Sequence, residues 1–102
     1  MINISDPCFV FGLKLDSNGG ATNLENHAAA NTWVHVDYGH ASVNDFLGSL
    51  GLPERIVNSL VQPDTRPRTV VSKGGVLVFV RGINLNPGAD PEDMVSLRMW
   101  IE

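Results

Sequence analysis

The chain has 102 residues, 43% hydrophobic and 18% charged, with a formal net charge of −4. That length fits one domain with its own core, the composition excludes a disordered tail, and the acidic balance argues against nucleic acid, whose binding needs a basic surface that releases counterions. The single cysteine, Cys8, excludes an intramolecular disulfide and fits a reducing compartment; among Phe9, Val10 and Phe11 it reads as a buried core thiol.

The opening Met1-Ile2-Asn3-Ile4-Ser5-Asp6 lacks the basic and apolar regions of a secretory signal. The longest clean apolar run, residues 76–80, is far shorter than the roughly 20 residues that a bilayer requires. The expectation is one soluble domain over residues 1–102.

Residues 8–15 read as a strand, because Phe9, Phe11, Leu13 and Leu15 alternate with Val10, Gly12 and Lys14. Ser17-Asn18-Gly19-Gly20 is turn chemistry. Residues 21–31 have neither a helical nor a strand period and are expected to be a loop. Residues 32–38 form the second strand, with Trp33, His35 and Asp37 on one face and Val34, Val36 and Tyr38 on the other. Gly39-His40-Ala41 ends it.

Ser42 is placed to cap a helix, with Asp45 near the positive end of its dipole. Val43, Phe46, Leu47 and Leu50 then recur at helical spacing. Gly51 suits the left-handed residue beyond a helix end, with Leu52 packing back on the last turn. Pro53, at a first helical position beside Glu54, opens a second helix striped by Ile56, Val57, Leu60 and Val61 and stopped by Pro63. Asp64-Thr65-Arg66-Pro67-Arg68 is a polar connector in which Pro67 holds Arg66 extended.

A β-meander follows. Residues 68–72 form a strand and Lys73-Gly74-Gly75 a tight hairpin turn. Residues 76–80 are apolar on both faces, which predicts a central strand covered on both sides, with Val78 and Phe79 inaccessible. Residues 95–101 close the meander, with Val95, Leu97, Met99 and Ile101 on one face and Ser96, Arg98 and Trp100 on the other. The fold class is α/β (α+β): one layered mixed sheet of about five strands, with two short helices inserted after the second, in the order β-β-α-α-β-β-β.

Chemistry is sparse. His35 and Asp37 share a strand face and His40 lies just beyond, a metal-ligand set without a fourth partner or a diagnostic Cys/His spacing. His35 beside Trp33 equally reads as a half-buried sheet residue, and His27 stands in a loop with no partner. No nucleophile elbow and no phosphate loop are present; Lys73-Gly74-Gly75 joins strands and opens no helix, so no enzyme is expected. Arg66, Arg68, Arg81 and Arg98 cluster in the meander, where pairing with Asp37, Asp64 or Glu102 would orient strands.

The connection at residues 81–96 is richest in turn residues. Asn86-Pro87-Gly88 has the Pro and Gly of a type II turn, and Asp90-Pro91-Glu92-Asp93 suits a type I turn or one helical turn capped by Asp90. Asp90, Glu92 and Asp93 could hold a divalent cation through oxygen, or form a solvated loop that resists edge pairing.

Thr65-Arg66-Pro67-Arg68, Gly75-Val76-Leu77-Val78 and the long run from Arg81 and Gly82 through Asn84, Asn86, Pro87 and Gly88 to Arg98 resemble the N-terminal cytoplasmic domain of ZntB-type zinc transporters, in the CorA superfamily. The likeness is close from Leu52 to Ile101 and weak before Thr32. It implies a layered α/β cytoplasmic domain followed by a long helix and two transmembrane helices. It also implies five subunits around one pore in the bacterial inner membrane, with zinc or a similar divalent cation as cargo and no other cofactor.

The long helix, both spans and the Gly-Met-Asn-like pore signature are absent from these residues. The chain is thus expected to be a piece of a longer protein, touching the membrane only through C-terminal helices outside it. As such it would contribute to the cytoplasmic funnel, to metal sensing or to subunit contacts. The alternative is a free-standing soluble domain of the same fold that binds a partner or a small ligand.

Overall fold

Period-2 runs closed by Gly and Asx turns, with two helical stripes between them, dictate the element order of the computed structural model, which describes residues 2–25, 31–63 and 66–102. The elements are β1 (Phe9–Leu15), β2 (Ala21–Asn23), β3 (Thr32–Val36), α1 (Val43–Ser49), α2 (Glu54–Leu60), β4 (Arg68–Ser72), β5 (Gly75–Gly82) and β6 (Val95–Ile101). They fall into two compact units, Met1–Val61 and Gln62–Glu102. The single sheet of about five strands is corrected: the fold is mixed α+β with two three-stranded sheets.

In the first unit the antiparallel order is β2-β1-β3, with a register irregularity between Phe9 and Phe11. The Asp16 carboxylate accepts the N–H groups of Asn18 and Gly20, both at 2.8 Å, and Gly19 turns at φ +83°. That turn delivers residues 21–23 alongside β1, so a short strand stands where a loop is predicted; three residues are too few to show a period. The rest of that loop, residues 26–30, lies outside the described residues. A Cβ on Gly12 would lie 2.8 Å from Leu24 Cδ2, so glycine lets Leu24 close over the strand.

Both helical stripes point inward. Val43, Phe46 and Leu47 of α1 and Ile56, Val57 and Leu60 of α2 are buried, while Leu50 and Val61, one residue past each helix, are half-buried. The Phe9 and Phe46 rings meet at 6.4 Å, and Cys8 is fully buried. Pro53 caps α2 with extended ψ (147°) rather than occupying its first turn, and its carbonyl takes the N–H groups of Ile56 and Val57. Gly51 adopts φ +85°, which costs a residue without Cβ nothing.

In the second unit β5 lies between β4 and β6, all antiparallel. Ser72 pairs with Gly75 across the two-residue turn Lys73-Gly74, with Gly74 at φ +92°. Leu77 and Phe79 are buried, Phe79 at 2% exposure, and the Arg68 guanidinium lies 4.6 Å from the centre of the Phe79 ring. Cover on both faces is corrected. Val76 and Val78 are half-buried, Val80 is 40% exposed and Val71 82%. On the same face of β6, Val95, Leu97 and Ile101 are exposed and Met99 half-buried.

Candidate functional site

The residues singled out as metal ligands fall in separate units, His35, Asp37 and His40 in the first and Asp90, Glu92 and Asp93 in the second. His35, half-buried on β3, stacks on Phe11 with centroids 5.0 Å apart and planes within 13°. Asp37 lies past the end of β3, where its carboxylate accepts the Gly39 N–H at 2.9 Å and its own N–H donates to the Cys8 carbonyl at 2.8 Å. Among the described residues, no group of three or more His, Cys, Asp or Glu side chains is arranged to hold a metal ion.

His40 belongs to a different cluster. The Ser42 hydroxyl donates to Asp6 Oδ1 at 2.6 Å, and the same oxygen accepts the Cys8 N–H at 3.0 Å. His40 Nδ1 lies 2.9 Å from Ser42 Oγ and accepts the Ser42 N–H at 3.1 Å. That acceptor role puts the ring proton of neutral His40 on Nε2. Ser42 keeps helical dihedrals (φ −84°, ψ −5°) and makes no side-chain cap, because its hydroxyl is committed to Asp6.

The set of Asp, Ser and His invites comparison with a nucleophilic triad, and its wiring is wrong for one. A triad hands the serine proton to an imidazole that a carboxylate orients from its far side. Here the carboxylate sits on the serine itself, and the backbone occupies the imidazole acceptor. The hydroxyl of Ser42, then the Cys8 N–H, hold the Asp6 carboxyl below the usual carboxylate range, with a smaller contribution from His40. Burial, helped by the Asp6 hydrogen bond and charge, pushes the Cys8 thiol up, so the thiolate needed for nucleophilic attack is disfavoured. The cluster is a latch tying the N-terminal segment to the start of α1. Sequence reading missed it because the latch spans 36 residues of chain.

The loop between β5 and β6 has the turns expected of it. Ala89 N–H donates to the Asn86 carbonyl at 3.1 Å with Gly88 at φ +79°, a type II turn, and Asp93 N–H closes a second turn on the Asp90 carbonyl at 3.0 Å. Asp90 Oδ1 accepts the Glu92 N–H, and Asn84 Oδ1 accepts both the N–H and the side-chain amide of Asn86. Arg81 and Gly82 end β5, and the loop exposes Leu85 at 83%. Of the arginines expected to orient strands, Arg68 covers Phe79 and Arg98 Nε donates to Ser96 Oγ, while Glu102 accepts the Trp100 indole N–H. Asp64 lies outside the described residues.

A shallow depression of about 260 Å³ between α1 and α2 is lined by Asn44, Gly48, Leu52, Glu54, Val57 and Asn58. It is smaller than the roughly 300–1,000 Å³ of a small-molecule site, with Asn44, Glu54 and Asn58 as its polar lining. No described helix is long and apolar enough to cross a membrane.

Comparison with known proteins places these features in context. Residues 28–102 match the family described as CorA-like Mg2+ transporter protein. The divalent cation transporter CmaX of Pseudomonas aeruginosa is 37% identical over 91% of this chain, which covers 31% of CmaX. The zinc transport protein ZntB of Yersinia enterocolitica is 30% identical over 98% of the chain, which covers 32% of that protein. Among solved structures, the ZntB cytoplasmic domain of Vibrio parahaemolyticus superposes with a TM-score of 0.81 at 27% identity, over 91% of this chain and 39% of its own. The chain thus spans about a third of the length of the curated relatives it matches.

Proposed function

The chain belongs to the CorA-like Mg2+ transporter family, and from that premise we propose that it is part of the N-terminal cytoplasmic portion of a divalent cation transporter with zinc as its cargo. The observation that carries this reading is the superposition on a ZntB cytoplasmic domain over nine-tenths of the chain. In this reading the protein works as a homo-oligomer, a pentamer, on the cytoplasmic side of the bacterial inner membrane. The membrane-crossing helices and the ion path belong to sequence outside these residues, and the chain itself needs no cofactor.

The part these residues play is structural. The Asp6–Ser42–His40 latch fixes the N-terminal segment, and the two turns at residues 86–93 hold the β5–β6 loop in one shape. His35, Asp37, His40, Asp90, Glu92 and Asp93 stack, cap turns or face water, which supports a scaffold more than a metal sensor.

An antibody against the chain tests the proposal in cells carrying the intact gene. The expected product is membrane-bound and roughly three times the 11.0 kDa of this chain. A soluble product of 11.0 kDa would overturn it and favour a free-standing interaction domain.

A further inference from the structure

The turn between β1 and β2 carries a reactive pair that the proposed function leaves unused, Asn18-Gly19. Of the chain's asparagines only Asn18 is followed by glycine. The Asp16 carboxylate accepts the N–H groups on either side, Asn18 and Gly20, both at 2.8 Å, and skips that of Gly19. Among the described residues neither the Gly19 N–H nor the Asn18 side-chain amide has a hydrogen-bond partner, and both residues are exposed. Gly19 turns at φ +83° with nothing within 4 Å of where a Cβ would stand, so the approach to its nitrogen is uncrowded. Other asparagines lack this combination. Asn86 precedes Pro87, which has no N–H; Asn84 Oδ1 holds Asn86; Asn44 and Asn58 lie in helices.

We propose that Asn18 is a site of spontaneous covalent modification, deamidation through a cyclic imide, and that the isoaspartate product releases β2. The Gly19 nitrogen attacks Asn18 Cγ and the bond from Cγ to the side-chain nitrogen breaks. That nitrogen leaves as ammonia, carrying the proton that Gly19 gives up. Water, the sole co-reactant, then opens the imide ring. Opening at Cγ gives aspartate. Opening at the Asn18 backbone carbonyl gives isoaspartate, in which the chain runs through the side chain and gains a carbon.

That extra carbon falls between the two N–H groups that share Asp16 Oδ1. Little else holds β2, whose three exposed residues pair only with Leu13, Lys14 and Leu15. Isoaspartate therefore loosens this pairing and, just beyond it, the Leu24 N–H on the Gly12 carbonyl at 3.1 Å. The inference goes beyond the transporter reading and does not rest on it.

Ageing of the folded chain tests both halves. The chain and N18Q are incubated side by side at neutral pH and body temperature, and peptide mass spectrometry follows each asparagine. Asn18 should convert at least about tenfold faster than any other asparagine, a barrier lower by about 1.4 kcal/mol. An isoaspartyl methyltransferase should methylate the aged chain and leave aged N18Q unlabelled. In the purified isoaspartate form, the amides of residues 21–24 should exchange hydrogen at least about tenfold faster than in fresh chain. N18D, with the added charge on an ordinary backbone, and aged N18Q should both match fresh chain.

Conversion of Asn18 no faster than the other asparagines overturns the site. Unchanged exchange in the isoaspartate form overturns the release of β2. So does equally fast exchange in N18D, which would assign the release to charge beside Asp16 instead of to the longer backbone.

Discussion

Phe79→Ala is the perturbation whose size the structure fixes best. The ring is 2% exposed at the middle of the central strand and carries the Arg68 guanidinium 4.6 Å above its centre. Truncating a fully buried phenylalanine costs about 3–5 kcal/mol in lost transfer energy and cavity, and the lost cation–π contact accounts for about 0.5–1 kcal/mol of that. A domain of this size has only about 5–15 kcal/mol in total. With a urea slope of about 1–3 kcal/mol/M, the midpoint should fall by about 2 M. Val71→Ala, on the open face at 82% exposure, should stay within about 0.5 kcal/mol of the parent. A cycle of R68A, F79A and the double variant should return a coupling of about 0.5–1 kcal/mol. The reasoning is refuted if F79A costs less than about 1 kcal/mol, or if V71A costs as much as F79A.

Three further outcomes follow from the geometry. A Cβ on Gly75 would lie 2.5 Å from the Ile101 carbonyl and 2.6 Å from the Trp100 ring, so Gly75→Ala should cost about 1–3 kcal/mol of overpacking in thermal unfolding; unchanged stability would contradict the close approach. Asp6 has a lowered folded pKa, so its contribution is present above the ordinary carboxylate value of about 3.9 and disappears as pH falls through the folded value. The parent should therefore lose stability more steeply than Asp6→Asn below about pH 4, and parallel curves would remove the latch. Zinc titrated calorimetrically into the chain should give no stoichiometric micromolar site; such a site, lost in His35→Ala, would show that the ring stacked on Phe11 is a ligand instead.

The helices were legible because their stripes are local: Val43, Phe46 and Leu47 recur within five residues, and burial follows that period. The turn at Pro87-Gly88 was legible because so few residues satisfy its dihedrals. Pairing was not. A strand of three residues at 21–23 carries no period, and nothing in the alternation of β1 or β5 says which strands will share a sheet. Local preference puts the Ser42 hydroxyl at the helix end, while its partner Asp6 lies far away in sequence. Two-sided cover of β5 is what its apolar run predicts, and burial falls only on the Leu77 and Phe79 side, because an apolar run does not say what packs on either face. The loop at residues 81–96 carried its family in a long specific run, and its local chemistry amounts to two rigid turns.

Zinc transport by a chimera addresses the central claim most directly. This chain would replace the matched third of Yersinia enterocolitica ZntB, with the product reconstituted in liposomes around a zinc-sensitive dye. The account predicts zinc uptake within about tenfold of the parent, a loss of no more than ~1.4 kcal/mol in barrier height. A chimera that assembles in the membrane and passes no zinc would contradict it.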